Sequence, residues 1–133
     1  MEHENKMNKL ALVTGAVFGL FTVIIGAFGA HALSDILELN DKTDVFETAV
    51  TYQSIHALVL LFLGLLSEKI DSRWLHRSVV MFVVGVLIFS GSLYLLSLTN
   101  MTKLGMVTPI GGVFMILGWV FLLIGIMKSF RKR

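Results

Sequence analysis

Four long apolar stretches alternate with short polar segments, and this pattern dominates the chain. They cover residues 10–33, 45–66, 78–98 and 108–127, and apart from Glu47, near the start of the second stretch, they lack Asp, Glu, Lys and Arg. An α-helix of about 20 residues crosses about 30 Å of hydrocarbon. The pattern therefore predicts an all-α fold, a four-helix transmembrane bundle that forms a single integral membrane domain over residues 1–133.

The composition agrees with lipid as the solvent. The chain has 133 residues, of which 56% are hydrophobic and 15% are charged, whereas a soluble domain has about 25% charged residues. The net charge of +2 is too small to indicate a nucleic-acid partner. Cysteine is absent from the sequence, which excludes disulfides, thiolate metal sites and cysteine nucleophiles.

Basic residues fall on one side of the predicted membrane. The N-terminal tail, the middle loop and the C-terminal tail together hold nine of them, which are Lys6, Lys9, Lys69, Arg73, Arg77, Lys128, Arg131, Lys132 and Arg133. The two opposite loops hold only Lys42 and Lys103, and the first of these loops is acidic. Because cytoplasmic loops are enriched in Lys and Arg, both termini are predicted to be cytoplasmic.

Three of the predicted helices have start signals in the sequence. Asp44 followed by Glu47 resembles a capping box at the start of the second helix. Thr108 and Pro109 predict an N-cap followed by proline at the first helical position. Ser72 is a candidate cap for the third helix.

Glycines at helical spacing predict close contacts between helices, because small residues let helix backbones approach in lipid. The relevant positions are Gly15, Gly19, Gly26 and Gly29 in the first span and Gly111, Gly118 and Gly125 in the fourth. The favoured interpretation is packing within one bundle. The alternative is that one of these stripes contacts a second copy or another membrane protein.

Polar residues inside the spans are concentrated in the half that is predicted to face outward. Helix rise places His31 and Glu47 about 3 Å from the outer boundary, and His56 and Trp119 about 16 Å from it, near the midplane. The candidate site residues in this half are His31, Glu47, Tyr52, Gln53, His56, Ser90, Ser92, Tyr94, Thr108 and Trp119.

This polar layer has two interpretations. In the first, Gln53, His56, Ser90 and Ser92 hydrogen-bond one another and hold helices together, with the Trp119 indole donating to His56. In the second, the layer forms a small pocket that opens to the outer face and binds a lipid or small molecule. A His31–Glu47 pair at its mouth would then be its titratable element.

Catalytic and metal-binding patterns are missing from the sequence. A metal site needs three or four ligands close together, but His31 and His56 differ in depth by about 13 Å. The serines that a histidine can reach lack an ionised partner at the same depth, as a nucleophilic triad requires. We therefore expect no metal, no cofactor and no enzymatic activity.

Four sequence blocks follow one another in a recognisable order. They are GAFGAHAL at 26–33, FxTAVxYQxxHAL at 46–58, FSGSLY at 89–94, and TPIGG with a later GW pair at 108–119. In these blocks the chain resembles, over about residues 10–127, the domain of unknown function 423 family of small multi-pass membrane proteins. Vertebrate transmembrane protein 256 looks like a relative.

The resemblance implies a multi-pass protein of the bacterial cytoplasmic membrane. It implies no activity, because none is assigned to the family. Its signature includes most of the polar layer, namely His31, Tyr52, Gln53, His56, Ser90, Ser92, Tyr94 and Thr108.

The sequence favours a non-enzymatic accessory or binding protein whose ligand is a lipid or small molecule. The alternative is a small oligomeric transporter or channel, which requires a water-filled path past His56. The apolar inner half of the spans argues against such a path through one copy.

Overall fold

A computed structural model describes residues 2–131, which are almost entirely helical and contain no strand. The helices are α1 (Glu2–Ala30), α2 (Ser34–Leu39), α3 (Thr43–Leu65), α4 (Ser72–Thr99) and α5 (Thr108–Arg131). Short 3₁₀ helices occupy Ser67–Lys69 and Thr102–Met106. Lys132 and Arg133 of the predicted basic tail lie outside the described residues.

Helices α1, α3, α4 and α5 are long and apolar enough to cross a membrane. This confirms the predicted all-α transmembrane bundle. The acidic loop that precedes α3 folds into the short helix α2, whose Leu37 is buried against the neighbouring helices. We call this end of the molecule, with Asp35, Glu38, Asp41, Asp44 and Glu47, the acidic end.

The helices extend beyond most of the predicted spans. Helix α4 begins at Ser72 rather than near residue 78, and α5 continues to Arg131 rather than ending near residue 127. The apolar stretches mark only the part of each helix that crosses hydrocarbon, whereas a helix can continue into the polar interface. Helix α1 instead stops short, because residues 31–33 form a turn in which the Leu33 N–H donates to the Phe28 carbonyl at 2.8 Å.

The predicted side-chain caps are wrong. Helix α3 begins at Thr43, one residue before Asp44, and no side chain hydrogen-bonds at its N-cap, Lys42. Asp71, not Ser72, is the N-cap of α4, and it also lacks a side-chain cap bond. Thr108 is the first residue of α5, and its hydroxyl lies 2.7 Å from Ser92 Oγ of α4.

The transmembrane helices pack in chain order, α1 on α3, α3 on α4 and α4 on α5. Helix α1 also touches α4, whereas α1 and α5 share no extensive interface over the described residues. Helices α3 and α4 are therefore the central helices of the bundle. Leu60 of α3 and Val79 and Phe82 of α4 are fully buried.

Glycines allow the close approach of α4 and α5. A Cβ at Gly111 would collide with the backbone of Phe89, and one at Gly118 would lie 2.7 Å from the Phe82 ring. A Cβ at Gly125 would lie 3.0 Å from Trp74 Cβ. The predicted packing role of the fourth-span glycines is therefore present within a single chain.

The glycines of α1 are less uniform. A Cβ at Gly15 would lie 2.9 Å from the Ala57 carbonyl oxygen, and one at Gly29 would collide with the Phe46 ring. At Gly26 the nearest atom would be Val50 Cγ1, at an ordinary 3.7 Å. Nothing lies within 4 Å of a Cβ at Gly19, so no close approach of another described segment requires a glycine at this position.

Candidate functional site

Gln53 joins three helices near the centre of the polar layer. Its side chain is only 5% exposed. Its amide Nε2 donates to the Phe18 carbonyl of α1 at 3.0 Å, and its Oε1 accepts from the Tyr94 hydroxyl of α4 at 2.9 Å. Buried amides need such partners, and here all of them belong to neighbouring helices.

Serine hydroxyls tie α4 to both of its neighbours. Ser90 Oγ donates to the Ala49 carbonyl of α3 at 2.8 Å. Ser92 Oγ lies 2.7 Å from Thr108 Oγ1 at the start of α5. Ser78 Oγ donates to the Gly118 carbonyl of α5 at 2.9 Å. These contacts satisfy the hydroxyl groups inside the bundle and fix the helix registers.

His56 contacts two groups with its two ring nitrogens. Nδ1 lies 2.8 Å from the Tyr52 carbonyl oxygen, one turn earlier in α3. Nε2 accepts from the Trp119 indole N–H of α5 at 3.3 Å, as predicted. Because a carbonyl only accepts and an indole N–H only donates, this arrangement requires the neutral imidazole with its proton on Nδ1.

Aromatic rings surround this histidine. The ring centroids of Phe82 and Trp119 lie 5.2 Å and 6.1 Å from the centroid of His56. The Tyr52 ring packs on Phe89 at 4.6 Å and is 41% exposed. His56 is therefore enclosed by packing side chains, with both nitrogens engaged.

The polar layer thus holds helices together, but not in the predicted way. We expected Gln53, His56, Ser90 and Ser92 to bond one another. Instead each bonds a different partner, in most cases a backbone carbonyl. Sequence spacing does not reveal which carbonyls face a given side chain.

His31 and Glu47 do not form the expected pair. Both are exposed, and no hydrogen bond or ion pair links them within the described part of the chain. His31 lies in the turn after α1, whereas Glu47 lies in the first turns of α3. The predicted pocket mouth is therefore not built from these two residues.

A groove of about 480 Å³ nevertheless opens at the acidic end, between the end of α1, helix α2 and the start of α3. We call it the acidic-end groove. It is lined by Gly26, Gly29, Ala30, Ser34, Leu37, Glu38, Thr43, Phe46, Glu47, Val50 and Thr51. Of the ten predicted site residues, only Glu47 lines it.

The polar side chains of this groove have spare hydrogen-bonding capacity. The carboxylates of Glu38 and Glu47 and the hydroxyls of Thr43 and Thr51 form no hydrogen bond with another described residue. Ser34 Oγ donates to the His31 carbonyl at 2.8 Å. The apolar residues Leu37 and Phe46 are buried at the same place.

Asn40 is a structural residue that the sequence interpretation missed. Its Nδ2 donates to the Ser97 carbonyl at 2.9 Å and to the Leu98 carbonyl at 3.2 Å. The last carbonyls of a helix lack partners within it, so Asn40 caps the end of α4 from the loop after α2. The partners are 57 and 58 residues apart in the chain, so no local pattern could have identified them.

Metal ligands are not clustered in the described part of the chain. There, no group of three or more His, Asp or Glu side chains is close enough to hold an ion.

Comparison with known proteins identifies the family. Residues 25–112 match the model of the family described as protein of unknown function (DUF423). The UPF0382 membrane protein of Staphylococcus epidermidis is 43% identical, over 90% of this chain and 97% of its own length. The UPF0382 inner membrane protein YgdD of Escherichia coli K12 is 35% identical, over 94% of this chain and 95% of its own length.

No solved structure matches the chain. The family match and these relatives confirm the resemblance inferred from the four sequence blocks, and they agree with the four apolar helices. The chain therefore belongs to the DUF423 family and is a multi-pass protein of the bacterial cell membrane.

Proposed function

We propose that the protein is a non-enzymatic membrane protein that binds an amphiphile with a cationic headgroup in the acidic-end groove. The observation that carries this proposal is the contrast in hydrogen bonding. The polar groups at the centre of the bundle already have partners, whereas Glu38 and Glu47 in the groove have none among the described residues.

The groove combines the two properties that such a ligand needs. Its carboxylates would attract an ammonium group, and its hydroxyls would accept or donate further hydrogen bonds. Leu37, Phe46 and Val50 supply apolar surface for the rest of the molecule. Concave sites with an apolar lining and a few polar groups are the usual form of small-molecule sites.

The alternative of a channel has less support. A water-filled path through one chain would have to pass Leu60, Val79 and Phe82, which are fully buried. An enzymatic role also lacks support, because both nitrogens of His56, the buried histidine of the bundle, already have partners.

The test uses octylammonium as a probe and octanol as its uncharged counterpart of equal chain length. The full chain is purified in dodecyl maltoside micelles, whose headgroup is uncharged and carries no ammonium group, and thermal unfolding is followed by circular dichroism. A ligand that binds only the folded state raises the melting temperature. We expect octylammonium to raise the melting temperature of the wild type, and octanol to raise it much less.

Two charge-matched variants assign the effect to the groove. Glu38→Gln with Glu47→Gln removes both carboxylates that line it, whereas Asp41→Asn with Asp44→Asn removes two exposed carboxylates at the same end outside it. Only the glutamate variant should lose the octylammonium shift. Equal shifts in the two variants, or equal shifts with octanol and octylammonium, would contradict the proposal.

A further inference from the structure

The opposite end of the molecule carries basic residues and two adjoining depressions. We call it the basic end. A recess of about 620 Å³ is lined by Asp71, Ser72, Arg73, Trp74, Lys128 and Arg131. A groove of about 260 Å³ is lined by Leu66, Lys69, Ile70, Ile126, Ser129 and Phe130.

These two depressions, the basic-end recess and the basic-end groove, share a boundary. Ile70 lines the groove, and the next residue, Asp71, lines the recess. Likewise, Lys128 lines the recess, and the next residue, Ser129, lines the groove. The Asp71 N–H donates to Ser129 Oγ at 2.9 Å along this boundary. A cationic surface and an apolar surface therefore lie side by side between α4, α5 and the loop that precedes α4.

Trp74 brings two cations close together at this end. The Arg77 guanidinium carbon lies 4.8 Å from the indole centroid, and Lys128 Nζ lies 4.7 Å from it. Cation–π contacts of this kind hold a basic side chain over a ring without pairing its charge with an anion. Arg73 and Arg131, which also line the recess, form no hydrogen bond or ion pair with another described residue.

The charge of the recess selects an anion. It is lined by three cations, Arg73, Lys128 and Arg131, and by one carboxylate, that of Asp71. Arginine and lysine donors suit phosphate oxygens, and basic recesses between helices at the membrane surface are suited to anionic headgroups. The apolar lining of the adjoining groove indicates that the anion is attached to a hydrocarbon chain.

We propose that the basic-end recess binds the phosphodiester headgroup of an anionic phospholipid, with one acyl chain in the basic-end groove. Arg73, Lys128 and Arg131 hold the phosphate, and Ile126 and Phe130 contact the chain. The site lies at the opposite end from the acidic-end groove and shares no lining residue with it. The lipid site can therefore be tested independently of the function proposed above.

Trp74 provides the reporter for the test. Phosphatidylglycerol with brominated acyl chains is mixed at increasing fractions with unlabelled phosphatidylcholine around the reconstituted full chain. Bromine quenches nearby indole fluorescence, and the Trp119→Phe variant leaves Trp74 as the sole tryptophan. In a second titration, brominated phosphatidylcholine is mixed with unlabelled phosphatidylglycerol. Comparing the quenching of Trp74 in the two titrations gives the relative affinity of the two lipids for the site near Trp74.

We expect a clear preference for phosphatidylglycerol at Trp74. The double variant Lys128→Gln with Arg131→Gln should lower it by about fivefold or more, because each basic residue near the surface contributes to the attraction. The matched variant Lys6→Gln with Lys9→Gln removes two exposed cations near the same end, outside the recess. It should leave the preference unchanged.

Three results would overturn the proposal. The first is that the two lipids quench Trp74 equally. The second is that both double variants lose the preference for phosphatidylglycerol to the same extent. The third is that millimolar inorganic phosphate or glycerophosphoglycerol abolishes the preference. The last result would assign the recess to a free anion instead of a lipid. If Trp119→Phe does not accumulate, the difference in quenching between the wild type and Trp74→Phe supplies the same signal.

Discussion

Two polar regions of this protein differ in what their hydrogen-bonding groups contact. In the middle of the bundle, Gln53 and His56 are buried and their polar atoms have partners on other residues. In the acidic-end groove, Glu47 and Thr51 are exposed, and their side chains have no partner among the described residues.

The difference follows from the solvent that surrounds each region. An unpaired polar group in hydrocarbon is costly, so polar groups at depth bond neighbouring helices. Near the membrane surface, water can satisfy a carboxylate until a ligand replaces it. The middle region therefore accounts for the stability of the bundle, whereas the groove retains groups that a ligand can use.

The largest difference between the two regions should appear on replacing glycine by alanine. At Gly111, between α4 and α5, the added methyl group would collide with the backbone of Phe89, which cannot move aside as a side chain can. We expect Gly111→Ala to lower the free energy of unfolding by about 3 kcal/mol. The free energy of unfolding is measured by circular dichroism in mixed micelles that contain an increasing fraction of dodecyl sulfate.

Gly26→Ala is the matched variant in the wall of the groove. Its methyl group would meet only Val50 Cγ1, at 3.7 Å, and alanine is the better helix former by about 1 kcal/mol. Unfolding free energy should therefore stay the same or rise by up to about 1 kcal/mol. If Gly26→Ala and Gly111→Ala lowered the free energy of unfolding equally, α1 would have to pack against α3 more tightly at Gly26 than the 3.7 Å distance to Val50 indicates.

A smaller difference is expected for polar substitutions. Gln53→Leu removes the bonds to the Phe18 carbonyl and the Tyr94 hydroxyl. Thr22 Oγ1 also donates to that carbonyl, at 2.7 Å, so mainly the tyrosine hydroxyl is left unpaired. Since such bonds contribute about 0.6 kcal/mol each in membrane bundles, we expect a loss of about 1–2 kcal/mol in the same unfolding assay.

Thr51→Val provides the control for this substitution. Thr51 is exposed in the groove, and its hydroxyl has no partner among the described residues. The variant should unfold within about 0.5 kcal/mol of the wild type. A loss as large as that of Gln53→Leu would mean that the groove also contributes to stability through its hydroxyl groups, and the contrast between the two regions would fail.

These regions also differ in how far the sequence predicts them. Hydrophobic length and glycine spacing predicted the four helices and the close contacts at Gly111 and Gly118, because both depend on local sequence. The contact between Trp119 and His56 was predictable from depth along the helices, since their predicted depths were equal. The depth of a residue in the membrane does not determine which way its side chain points around the helix axis. The hydrogen bond from Gln53 to the Phe18 carbonyl was therefore not predicted.

The acidic-end groove was predicted least well. The sequence indicated an acidic loop but not the short helix α2, whose Leu37 fixes the loop against the bundle. It suggested His31 as the partner of Glu47, because both are near the same boundary. The turn after α1 instead leaves His31 exposed. Part of the groove wall is formed by Gly29 and Ala30, which have no polar side chain that could mark a binding site in the sequence.

The smallest effect is expected beside His56, where the aromatic residues Trp119 and Tyr52 differ in hydrogen bonding. Trp119 donates to His56 Nε2 at 3.3 Å, a long bond, and is 45% exposed. Trp119→Phe keeps an aromatic ring but leaves Nε2 without this donor. We expect a loss of about 0.5 kcal/mol in the unfolding assay.

Tyr52→Phe is the counterpart of this change. The Tyr52 ring packs on Phe89, and its hydroxyl has no partner among the described residues, so the variant should match the wild type. In ¹⁵N spectra of the imidazole, Trp119→Phe should shift the Nε2 resonance and leave Nδ1 protonated, because Nδ1 still donates to the Tyr52 carbonyl. If the proton were found on Nε2 in the wild type, the indole could not be its donor partner, and His56 would count among the groups available to a ligand.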